Sequence, residues 1–82
     1  VIFKEMALFK VVGSSIKIKK AINACKKYDA VILDKTKKSN VIQITALRRE
    51  IDKMAKNLRK FGLVSVSRTG AVAMTRGDKG FN

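Results

Sequence analysis

Phe61-Gly62-Leu63-Val64-Ser65-Val66-Ser67-Arg68-Thr69-Gly70-Ala71-Val72-Ala73-Met74-Thr75-Arg76-Gly77 is the stretch on which the fold turns. Gly62 stands where a helix ends and the chain takes a positive φ, which a residue without Cβ adopts freely. Leu63 to Arg68 reads as a strand, with Leu63, Ser65 and Ser67 on one face and Val64 and Val66 on the other. Gly70 permits a kink, after which Ala71 to Thr75 continues as an extended, edge-pairing segment. A helix, a glycine joint and a returning strand form the closing half of a β-α-β unit.

Working back from that joint, Ala46 to Lys60 spaces Ile51, Met54, Ala55 and Leu58 at i, i+3, i+4 and i+7, the period of an amphipathic helix. Lys56, Arg59 and Lys60 suit the negative end of its dipole. Asn40 to Thr45 reads as a strand, joined through the polar turn 35–40 to the short apolar strand Ala30 to Asp34. Before these, Ser14 and Ser15 offer N-cap hydroxyls to a helix running to about Tyr28, whose Ile18, Ala21, Ile22, Cys25 and Tyr28 share a face. Gly13 joins that helix to an opening strand, Glu5 to Val12. The order β-α-β-β-α-β is that of an α+β, ferredoxin-like sandwich, an antiparallel sheet with two helices on one face. One domain over residues 1–77 and a fraying tail over 78–82 are expected.

With 82 residues the chain buries only roughly 60% of the surface it exposes unfolded, so the core is thin. No Trp and few aromatics leave packing to Ile, Val, Leu and Ala. No apolar run approaches the ~20 residues of a membrane-spanning helix, and charge comes too early for a signal peptide. A single cysteine and no histidine point to a reduced, cytoplasmic setting and remove the commonest metal ligand and general base. Cys25, at helical spacing from Ile18 and Ile22, reads as a small buried apolar residue. The six carboxylates show no spacing of a metal cage or an acid/base pair, and the glycines form no phosphate-cradling loop. The chain is thus expected to act by binding, with no cofactor of its own.

The first strand carries Ala7, Phe9 and Val11 on one face and Met6, Leu8 and Val12 on the other, interrupted by Lys10, while the second strand is apolar on both faces. Leu63 adds to the outer patch on the same alternation. Helices cover only one side of such a sheet, so the apolar open face calls for a partner. A second copy, another domain of the same chain and a separate subunit are the candidates. The net charge of +13 raises a competing reading, a basic ferredoxin-like RNA- or DNA-binding module. RNA-recognition motifs share the element order but stack bases on paired aromatics of the central strands, where this chain has only Phe9. The cations are spread over helices and loops, and Lys outnumbers Arg, as on a solvated surface.

Arg68-Thr69-Gly70-Ala71-Val72-Ala73-Met74-Thr75-Arg76-Gly77, preceded by Phe61-Gly62, resembles the "R-(T/S)-G-x-V-(A/G)-(L/M)-x-R-G" segment, with its "(Y/F)G" turn, of the regulatory small subunit of acetolactate synthase. Lys4-Glu5-Met6-Ala7-Leu8-Phe9-Lys10-Val11 is similar to that family's "(R/K)-E-x-x-L-x-K-V" opening strand. Asp29-Ala30-Val31-Ile32-Leu33-Asp34 is similar to its "A-x-(I/V)-(I/V)-D" strand. The resemblance implies the family's C-terminal domain. It also implies a non-catalytic role in associating with the catalytic subunit, activating it and conferring valine-type feedback in branched-chain amino acid biosynthesis. In that family the effector is held mainly by an N-terminal ACT domain, to which no segment here corresponds. Thiamine diphosphate, FAD and magnesium belong to the catalytic subunit. The implied partners are that subunit and a second copy, in a homodimer. Arg68, Thr69, Gly70 and Arg76 from the motif, with Met6, Leu8 and Leu63 from the open face, are the partner-contact candidates. Ser14-Ser15-Ile16 departs from the pattern, being shorter and less polar than the family's segment there.

Overall fold

A computed structural model describes residues 2–70 and 72–74. Strand β1 (Ile2–Val12) leads into helix α1 (Ser15–Cys25), which tightens into a 3-10 turn (Lys26–Tyr28). Strands β2 (Val31–Lys35) and β3 (Ser39–Ala46) form a hairpin, and helix α2 (Arg48–Leu58) follows, tightening in turn over Arg59–Phe61. Strand β4 (Leu63–Arg68) and the short β5 (Val72–Met74) come last. The sheet runs β2-β3-β1-β4, all antiparallel, with β5 pairing the start of β1. This is the ferredoxin-like α+β sandwich that the element order implies.

Alternation along the central strands builds the core. Ala7, Phe9 and Val11 of β1 and Ile42, Ile44 and Ala46 of β3 are buried together with Ile18, Ala21 and Cys25 of α1 and Ile51, Met54 and Leu58 of α2. Each large aliphatic or aromatic side chain in this set contributes about 1.5–3 kcal/mol by leaving water. The α1 and α2 stripes are those read from the periodicity, with Ile22, Tyr28 and Ala55 packed against the edge of the cluster.

The start of the second helix, the start of β1 and the facing of Leu63 differ from the sequence reading, each for a local reason. The second helix begins at Arg48 rather than Ala46, because Ala46 stays in the β1–β3 ladder opposite Glu5 and is buried. The Glu50 carboxylate then accepts the Leu47 amide at 3.0 Å, closing the first turn. β1 starts at Ile2, ahead of Glu5, because β5 supplies a partner for Ile2–Lys4 where β3 has ended. Leu63, assigned above to the outer patch, packs instead against the core. The register of β1 against β4 shifts between Lys10 and Val11, setting Leu63 opposite Val11 instead of Val64. A bulge of this kind turns every residue before it to the other face.

Candidate functional site

Glu5 has the same pleat parity as Ala7, Phe9 and Val11, so the strand that buries those apolar groups also carries a carboxylate beneath the helices, 2% exposed. A buried carboxylate is tolerable only when paired and hydrogen-bonded. Its Oε1 accepts from Arg68 Nε at 2.9 Å, and its Oε2 accepts from Arg48 Nε at 2.9 Å and Arg68 Nη2 at 3.2 Å. Arg68 Nη1 reaches on to Asp52 Oδ1 at 2.6 Å. The planar guanidinium fork suits this two-pronged grip, which a point-charge ammonium could not reproduce. One cluster thus ties β1, β4 and α2 together. The hydrogen bonds from Arg68 and then Arg48 hold the Glu5 carboxyl below the usual carboxylate range, against the opposing push of burial.

Thr69 continues the β1–β4 pairing by different means. Its amide donates to the Met6 carbonyl at 3.1 Å, and its Oγ1 accepts the Met6 amide at 3.1 Å, so a side chain stands in for one backbone acceptor. Gly70 follows at φ +81°, and Val72 rejoins the ladder opposite Lys4. Counting from Ala7 opposite Arg68 to Lys4 opposite Val72, β4 and β5 carry one residue more than β1 spans. The motif's Arg-Thr-Gly run is therefore a strand break in which Arg68 anchors an ion pair, Thr69 supplies the substitute acceptor and Gly70 makes the left-handed link.

On the open face, Met6, Leu8, Arg68 and Thr69, with Gln43 and Ser67, line a shallow cavity of about 150 Å³. The side chains of Met6, Leu8 and Thr69 meet there, and Arg68 lines the cavity as part of its strand while its guanidinium turns to Glu5 on the helix side. Gly70 adjoins the cleft in sequence, Leu63 lies away from it against the core, and Arg76 lies outside the described residues. Glu5, Arg48 and Asp52 are missing from the sequence-derived set, although Glu5's parity with the core residues is a readable signal. Phe9 is fully buried beneath the helices, so it presents no ring on the open face for base stacking.

Cys25 is likewise fully buried, and desolvation pushes its thiol up to about 11, as befits a packing residue rather than a nucleophile. Among the described residues no group of three or more His, Cys, Asp or Glu side chains gathers where a metal could bind. No described helix is long and apolar enough to cross a membrane.

Comparison with known proteins places this arrangement among relatives. The family model described as the small subunit of acetolactate synthase matches residues 4–77. The acetolactate synthase small subunit of Bacillus subtilis (strain 168) is 27% identical over 79 residues, covering 96% of this chain and 46% of that protein. The crystal structure of the acetolactate synthase small subunit from Thermotoga maritima matches with a TM-score of 0.71 at 26% identity, over 95% of this chain and 48% of that one. The chain spans about half the length of these relatives.

Proposed function

This chain belongs to the family of acetolactate synthase small subunits, and from that premise we propose that it is the non-catalytic C-terminal domain of such a subunit. In this reading it docks on the catalytic subunit, raises its activity and transmits valine-type feedback in branched-chain amino acid biosynthesis. The subunit works as a cytoplasmic homodimer. The observation that carries the reading is the convergence of Met6, Leu8 and Thr69, with Arg68 as part of its strand, on one cleft of the uncovered sheet face. Met6 and Leu8 supply apolar contact, while Arg68 and Thr69 hold the strand break that shapes the cleft wall. Arg76, from the same motif, is a further partner contact in this reading. Docking that differs between active and inhibited states by about 1–3 kcal/mol is sufficient to couple the two subunits.

Leu8→Lys in the full-length subunit tests this, because it puts a charge into the cleft without touching the core. Co-purification with the acetolactate synthase catalytic subunit is expected to fall about tenfold or more, with activation reduced and the circular dichroism spectrum unchanged. Sedimentation of the subunit alone separates loss of the homodimer from loss of catalytic-subunit binding. Unchanged association, activation and valine response after deletion of residues 5–77 would sink the reading.

A further inference from the structure

Away from the motif, a groove of about 660 Å³ lies between the start of α1 and the β2–β3 turn. Val12, Ile18 and Ile22 give it an apolar lining that stays open, with Val12 39% exposed and Ile22 half-buried. Its rim is cationic, with Lys19 from α1, Lys35 from the end of β2, and Lys37 and Lys38 from the turn. The two walls are fixed to each other before anything binds. The Gly13 amide donates to the Lys38 carbonyl at 2.9 Å, and Thr36 Oγ1 accepts the amides of Lys38 at 3.3 Å and Ser39 at 3.0 Å.

Charge is segregated along the fold, and among the described residues no Asp or Glu lines the groove. Residues 13–28 hold five lysines and no carboxylate, and residues 35–40 hold three more and again none. On α2, by contrast, Glu50 and Asp52 stand among the cations. The ion pairs among the described residues gather at Glu5, Arg48, Arg68 and Asp52, and none includes a lysine of the groove. Like charges held together around open apolar surface are complemented by a partner that brings carboxylates and hydrocarbon at once.

We propose that this groove docks an acidic protein segment carrying aliphatic side chains. Its carboxylates meet the lysine rim, and its aliphatic side chains lie along Val12, Ile18 and Ile22. A nucleic-acid strand fits less well, because among the described residues the lining offers no aromatic ring for a base and no arginine fork for a phosphate. The groove is separate from the cleft on the open face. Met6 of the cleft and Val12 of the groove stand six residues apart on β1, about 20 Å along a strand, so a segment fills the groove whether or not a subunit occupies the cleft.

The test is an NMR titration of the full-length protein, labelled at Val and Ile methyls, with the peptide Glu-Leu-Glu-Glu-Leu-Glu as the probe at about 0.15 M salt, where distant charges are screened. Gln-Leu-Gln-Gln-Leu-Gln, Glu-Ser-Glu-Glu-Ser-Glu and oligothymidylate are run as separate arms. The probe is expected to shift the Val12, Ile18 and Ile22 methyls together and to bind more tightly than the other three. Lys37→Glu with Lys38→Glu, both on exposed side chains, is expected to weaken it about tenfold or more, and Val12→Ser severalfold. Lys53→Glu with Lys56→Glu, the same charge change on exposed positions of α2, is expected to weaken it no more than about twofold. Leu8→Lys, in the cleft, is expected to leave it bound. The Gln peptide matching the probe would reduce the groove to an apolar hollow, and the Ser peptide matching it would reduce the groove to a cationic patch. Oligothymidylate matching it would make the groove a nucleic-acid surface, and loss of the probe in Leu8→Lys would merge groove and cleft into one site. Each of these results overturns the assignment, as does an equal loss from the turn and α2 substitutions or an affinity that none of them moves.

Discussion

Glu5 shows how one residue decides several properties at once. Its carboxylate is accepted in the interior only because Arg68 and Arg48 meet both of its oxygens, and the same contacts lower its pKa in the folded state. A group with a lowered folded pKa contributes stability that is fully present above its unfolded pKa, near the ordinary glutamate value. That contribution is lost as pH falls through the lowered folded value. Stability of the native chain should thus decline on acidification below the ordinary carboxylate range. Glu5→Gln should be less stable than the native chain at neutral pH, with a flatter decline. Urea midpoints measured at a series of pH values check this, and parallel curves for the two proteins would remove Glu5 as the source. The presence of a carboxylate on the core face is readable from its parity with Ala7 and Phe9. Its pairing with the distant Arg68 is not, because the β1–β4 register creates that contact.

At the scale of elements, the two glycines flanking β4 act differently. Gly62 ends the 3-10 turn after α2 at φ +90°, and a Cβ there would come within 2.0 Å of the Val12 carbonyl oxygen. The close approach exists because the Val12 amide donates to the Gly62 carbonyl at 2.9 Å, joining the end of β1 to the start of β4. Gly70 has a similar φ of +81°, yet a Cβ there would meet nothing within 4 Å among the described residues. Gly70→Ala should then cost only the left-handed backbone term, about 1–2 kcal/mol. Gly62→Ala should cost more than that, because backbone must move aside as well. Chemical denaturation of the two variants orders them, and equal losses would mean that the Val12 approach is easily relieved. The helix stripes, the strand order and the Gly62 joint are all legible in the sequence, since each rests on local spacing. The bulge that turns Leu63 inward is not, because an alternating Leu-Val-Ser-Val-Ser pattern is equally consistent with continuous pairing and only the two-strand register exposes the extra residue. The buried Asn40 is open to the same parity reasoning as Glu5, but a strand end next to a polar turn reads as solvent-facing, whereas the structure buries it.

For the whole molecule, the opposing electrostatic terms differ in number and range. Against 19 lysines and arginines stand six carboxylates, and the ion pairs among the described residues draw Glu5 and Asp52 into one cluster with Arg48 and Arg68. Glu5 lies buried within that cluster, where salt screens weakly, while most cations lie on the surface, where screening is effective. A net charge of +13 on a single small domain repels itself in the compact state. Added salt therefore weakens the repulsion more than the attraction, and the repulsion is the larger sum. The thermal midpoint should rise by several degrees as sodium chloride is increased from about 0.02 M to about 0.3 M, where the screening length has fallen well below the molecule's dimensions. Glu5→Gln should show a rise at least as large, since it removes a carboxylate and leaves the surface cations in place. A midpoint that falls with salt in both proteins would mean that exposed ion pairs outweigh the repulsion, and that the lysine-rich surface is balanced by contacts rather than held soluble by its own charge.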